Sequence, residues 1–148
     1  MLPQPPDQIA TTPCIGICST IYGDDVCRGC FRSFTEVTHW NTYSTSHKIQ
    51  ILERLNDLLS SVVATKLEIV TPALLHTKCI EKQIKIRAHF SPYTWAHALL
   101  RHGKFAHHEL KSYGIKLYPS YAKISLATLI EMIDTEIHQR ALAALNAN

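Results

Sequence analysis

Residues 14–30 read CIGICSTIYGDDVCRGC, and they hold four of the five cysteines in a chain of 148 residues. The spacing is Cys14-x3-Cys18-x8-Cys27-x2-Cys30. Three chemistries use thiols this dense: two disulfides, a dithiol redox site, or a metal centre. Disulfides belong to oxidising compartments. The opening stretch, MLPQPPDQIATTP, has neither the basic n-region nor the long apolar h-region of a secretory signal. The expected compartment is therefore the cytoplasm, where disulfides are rare. A dithiol site built on Cys-Arg-Gly-Cys requires a strand before the motif and a helix after it. Here a second cysteine-bearing turn precedes it instead. Two close pairs joined by a short loop suit one tetrahedral centre, with each pair gripping the ion from one turn. Cys14, Cys18, Cys27 and Cys30 are thus the candidate metal ligands. Four thiolates satisfy zinc and equally an iron–sulfur cluster, and spacing leaves that choice open. Gly29 permits a tight backbone that turns N–H groups toward thiolate sulfur. Asp24 and Asp25, at the loop tip, read as turn formers.

Downstream of the cysteines, Ser33 and Glu36 have the spacing of a capping box, in which each side chain satisfies a free backbone N–H at a helix start. A short helix is expected there, with Val37 and Trp40 on one face and Trp40 packed over the cysteine loop. Arg32 is placed to meet loop carbonyls or Glu36, and a phosphate contact is its functional alternative. After an N-cap at Ser44 or Ser46, Leu52, Leu55, Leu59 and Val62 recur at steps of three, four and three. That is the stripe of an amphipathic helix over 46–63.

These residues carry a resemblance. Pro13, Cys14, Cys18, Cys27, Gly29, Cys30, Arg32, Ser33, Glu36, Val37 and Trp40 follow the pattern of a small bacterial family called domain of unknown function 1289. The likeness covers residues 12–58. It implies an iron–sulfur protein, since members of that family are described as predicted Fe–S proteins. Ser33 stands where that family usually has threonine, which keeps the cap. His47 stands where an acidic residue usually precedes Lys48.

The remainder is read from its own pattern. Composition shifts near Ala64. KLEIV reads as a short strand closed by Pro72, and PALLHTKCIEK as a helix. In QIKIRAHF, Ile84, Ile86, Ala88 and Phe90 alternate with Lys85, Arg87 and His89, so a half-buried strand with one basic face is expected. Ser91-Pro92 reads as the cap and first residue of a helix ending near Gly103. A second helix is expected from about Lys104 to Gly114, and the two resemble a helix-turn-helix joint. IKLY reads as a strand stopped by Pro119. Leu126, Leu129, Ile133, Ile137 and Leu145 mark a final helix from Ser125.

Net charge is only +3, but residues 78–123 hold nine Lys/Arg against two Glu, among several aromatic residues. Cations that track phosphates beside rings that stack on bases suit RNA or single-stranded DNA. Lys85, Arg87, His89, Lys104 and Lys111 are the candidate contacts. The plainer reading is an ordinary core with a basic solvated face. Cys79 is isolated and reads as a buried thiol, and the histidines from His89 to His108 as partly exposed side chains. No nucleophile–base pair, phosphate loop or dinucleotide fingerprint stands out. No apolar run approaches the roughly 20 residues of a membrane span.

The expected architecture is α+β or mainly α. A leader over 1–12 precedes a four-cysteine metal-binding module over 13–63 with two helices, and then a basic helical or α+β domain over 64–148. The expected function is a cytoplasmic metal-binding accessory protein with a protein redox partner and no membrane. The alternative is a nucleic-acid-binding module stapled by its metal. An enzyme with catalytic residues hidden in the second half comes third.

Overall fold

Ser33 opens the first regular helix as expected. Its Oγ accepts from the Glu36 N–H at 3.2 Å, and the Glu36 carboxylate accepts from the Ser33 N–H at 2.9 Å. The computed structural model describes residues 10–103 and 105–147, so most of the leader and Lys104 lie outside the described residues. Five α-helices are seen among them: α1 (Phe34–His39), α2 (Thr45–Val63), α3 (Pro72–Glu81), α4 (Pro92–His102) and α5 (Leu126–Asn146). Short 3-10 segments occupy Ser19–Tyr22, Trp40–Thr42, His107–Tyr113 and Pro119–Tyr121. The mainly helical, α+β-like fold matches the expectation.

Local chemistry sets the helix ends. Ser44 caps α2 by accepting from the His47 N–H at 3.1 Å. The α2 stripe is buried at Leu52, Leu55 and Val62. Ser91 caps α4 with Pro92 at its first position, and Gly103 ends it at φ +67°, a left-handed conformation that costs glycine least. Ser125 caps α5 through the Thr128 N–H. The two expected strands form one antiparallel pair, β1 (Leu67–Ile69) and β2 (Ile115–Leu117), with Leu67 opposite Leu117 and Ile69 opposite Ile115.

Two expectations fail. QIKIRAHF is irregular rather than a strand. Its backbone is already committed: the Ile84 N–H closes the end of α3 on the Cys79 carbonyl, and the Arg87 carbonyl accepts from Trp95 Nε1. Among the described residues the sheet has two strands, β1 and β2, and this segment joins neither outer edge. The second helix of the supposed helix-turn-helix is a 3-10 segment, His107–Tyr113. Its end is docked on the sheet, because the Gly114 carbonyl accepts from the Val70 and Thr71 N–H groups. A Cβ at Gly114 would stand 2.7 Å from the Thr71 carbonyl oxygen, so only glycine allows that approach.

The chain forms two compact units. One comprises the residues up to Leu58 together with those from Ile137 onward, and the other comprises Leu59–Glu136. The last turns of α5 thus belong with the cysteines. In the second unit α3 packs on α4, and Leu67, Leu75, Leu99, Leu129 and Ile133 are fully buried. No described helix is long and apolar enough to cross a membrane.

Candidate metal centre

The four cysteines lie in the first unit, on two turns joined by the Ser19–Tyr22 segment. The second turn is the better defined. Val26 and Ser33 form an isolated antiparallel bridge, the Cys27 N–H donates to the Arg32 carbonyl at 2.8 Å, and the Phe31 N–H donates to the Cys27 carbonyl at 2.8 Å. The chain from Cys27 to Cys30 is thereby folded into a tight knuckle. Phe31, which closes it, has φ +66°, an uncommon conformation for a bulky residue. Burial of its ring to 2% exposure holds it there.

Inside this knuckle the sulfur of Cys27 is an acceptor. The Gly29 N–H donates to it at 3.3 Å. Burial pushes the Cys27 thiol up, but backbone N–H groups of Cys30, Ser19 and Gly29 and the Cys30 side chain outweigh burial and bring its pKa down to about 7. Burial holds the neighbouring Cys30 above the ordinary thiol value, although Arg32 Nε donates to its sulfur at 3.2 Å and opposes that shift. Arg32 is itself 3% exposed, and its guanidinium lies 4.8 Å from the centroid of the buried Trp40 ring. Arg32 therefore serves sulfur and tryptophan. Glu36 takes a different cation, Arg54, in a bidentate pair at 2.5 and 2.7 Å. Arg54 was not singled out from the sequence, because its partner is 18 residues away.

The first cysteine turn lies against the knuckle. Cys27 Sγ donates to the Ile17 carbonyl at 3.8 Å. A Cβ on Gly29 would sit 2.8 Å from the same carbonyl oxygen and 3.0 Å from Ile15 Cγ1. Gly29 is thus required for close approach of the two turns, and its φ is not left-handed. Cys14 is exposed, and its sulfur accepts from the Gly16 N–H at 3.3 Å. The sulfur of the half-buried Cys18 is hydrogen-bonded to Thr20 Oγ1 at 2.8 Å. All five cysteines are free thiols. Cys27 and Cys30 are brought together. Among the described residues, no group of three or more His, Cys, Asp or Glu side chains converges closely enough to hold a metal ion.

The other candidates are scattered. Lys85, His89 and Lys111 are exposed, and Arg87 is half-buried with its guanidinium 5.6 Å from the Phe90 ring. Lys104 lies outside the described residues. Trp95 and Tyr113 are core side chains, and Cys79 is a fully buried thiol that burial pushes up to about 11. One histidine, His97, differs from the expectation of partial exposure, and His138, which carried no such expectation, is also buried. His97, 4% exposed, donates from Nε2 to Asp134 at 2.7 Å, and Arg101 Nε holds the other carboxylate oxygen at 3.2 Å. His138, 5% exposed, is bonded to the Val26 carbonyl. Neither could be found by spacing, since the partners are 37 and 112 residues distant.

A mainly helical chain with a cysteine knuckle near its N-terminus is the class that this geometry defines. Residues 12–59 match the model of the family described as Protein of unknown function (DUF1289). No curated protein and no solved structure matches the chain.

Proposed function

We propose that the first unit binds one metal centre through Cys14, Cys18, Cys27 and Cys30, and that the protein works as a metal-binding accessory protein. The observation that carries this reading is the knuckle. Its backbone N–H groups and Arg32 are aimed at the sulfurs of Cys27 and Cys30, which is how a protein stabilises thiolate ligands before an ion arrives. The Cys14–Cys18 turn supplies the remaining thiols. It already rests on the knuckle through Ile15 and Ile17, and Ile15 and Ile17 are 54% and 70% exposed, so bringing its sulfurs inward sacrifices little core. A zinc ion held this way would staple the fold, and an iron–sulfur cluster would add electron transfer or sensing.

The basic half gives the nucleic-acid reading less support. The continuous basic strand is absent, and several cations are engaged locally: Lys78 with Glu81, Lys82 over Tyr113 and Arg101 with Asp134. The deciding measurement is the metal content and visible spectrum of protein purified without air. A brown sample with iron and sulfide identifies a cluster, and a colourless one with one zinc identifies the structural site. A metal-free sample that takes up neither on reconstitution overturns the reading.

A further inference from the structure

The bridge between Val26 and Ser33 turns the Val26 carbonyl outward, away from the partner strand. The hydrogen bonds of that hairpin run from Cys27 to Arg32 and from Phe34 to Asp25. Val26, between them, is a non-hydrogen-bonded position whose carbonyl points away from its partner strand. Val26 is 1% exposed, so water does not serve that oxygen. A buried carbonyl left unpaired is costly. The partner comes from the far end of the chain: His138, on α5, stands with Nε2 3.0 Å from the Val26 oxygen. A carbonyl can only accept, so Nε2 carries the proton and donates it into the bond.

The geometry points to His138 as a positioning residue of the cysteine knuckle. It fixes the peptide immediately before Cys27 and thereby the direction in which that thiol is presented. Its contribution in this arrangement is the hydrogen bond from Nε2 to Val26. The inference rests on the metal reading for its purpose, and it extends the module beyond the family-matched residues 12–59 to the last turns of α5. Isolated residues 12–59 carry all four cysteines but lack the group that holds Val26.

The test uses the full chain with His138→Ala and His138→Gln, since a glutamine amide nitrogen reaches as far from the backbone as Nε2 does. Cobalt(II) is titrated anaerobically, and thiolate-to-cobalt absorption reports binding. Backbone hydrogen exchange of the metal-free chain is followed at Cys27, Phe31 and, in the second unit, Leu99. In His138→Ala, cobalt affinity is expected to fall about 10- to 100-fold, the usual effect of losing a ligand's supporting hydrogen bond. Exchange at Cys27 and Phe31 should quicken, and Leu99 should stay as protected as before. His138→Gln should restore both. Wild-type affinity and exchange in His138→Ala overturn the inference, as does a uniform loss that includes Leu99 and resists rescue. If the wild-type chain shows no thiolate–cobalt absorption, the metal reading fails. Hydrogen exchange then decides His138 alone: quickening in the alanine variant with rescue by glutamine upholds its hold on the knuckle, and unchanged exchange refutes it.

Discussion

The cysteine loop and the helical unit of Leu59–Glu136 hold themselves together by different means. In the helical unit, leucines and isoleucines from α3, α4 and α5 are wholly removed from water, and the sheet and caps satisfy the backbone. In the cysteine loop, Ile17, Ile21 and Tyr22 are 70–85% exposed, and the order comes from N–H donors to sulfur, two short turns and one histidine. The first turn of that loop buries little apolar surface of its own, so its ordering leans on the knuckle, where Val26 and Phe31 are buried. The contrast shows where a metal would matter: it can replace a core in the loop, whereas the helical unit has no need of one.

Cysteine substitution should separate the two regions most sharply. Cys27→Ser is expected to take bound metal from near one equivalent to near none and to loosen the knuckle, because structural metal sites contribute about 10 kcal/mol or more to the folds that they close. Cys79→Ser should keep the metal. Elemental analysis of both variants checks this, and full retention in Cys27→Ser would remove the distinction between the regions.

Apolar truncation should reverse the pattern. Leu99→Ala removes a fully buried side chain and should cost about 2–5 kcal/mol in urea denaturation, with metal binding unchanged. Ile17→Ala, at an exposed site, should stay within about 0.5 kcal/mol. Equal losses would mean that the loop has a hidden core. Gly29→Ala tests the contact inside the loop. Its methyl would meet a backbone oxygen at 2.8 Å, so the turns must part, at a cost of about 1–3 kcal/mol. A metal titration should show weaker binding in that variant.

The smallest expected effect is the share of the pH dependence that His97 contributes in the helical unit. Burial holds the His97 imidazole below its ordinary value, assisted by the Arg101 charge, although Asp134 opposes the shift. The folded state therefore favours neutral His97, while the unfolded chain takes up its proton near pH 6.5. Stability is complete above that pH and declines as pH falls below it. Calorimetry between pH 7.5 and 5 should show this decline, and His97→Gln, which retains a donor toward Asp134, should flatten it. An equally steep decline in the variant would assign the effect to another group.

The sequence alone determined the features that rest on neighbouring residues. The capping box at Ser33, the proline starts, the α2 stripe and the glycine ends at Gly103 and Gly114 were all legible, because each depends on groups within about four residues, and the two short strands were legible from their own composition. The cysteine spacing likewise marked the loop, and the pattern around it matched a family over residues 12–59. Alternation misled at QIKIRAHF, since a strand exists only where a neighbour shares its ladder, and here the Ile84 N–H and the Arg87 carbonyl bond to Cys79 and Trp95 instead. Only tertiary structure decided that Gly29 is needed for close approach, that Arg32 serves sulfur while Glu36 takes Arg54, and that His97 is buried on Asp134. Tertiary structure alone also brought His138 to the knuckle. A hydrogen bond across 112 residues leaves no periodicity to read, because its partners share a place in space and nothing along the chain.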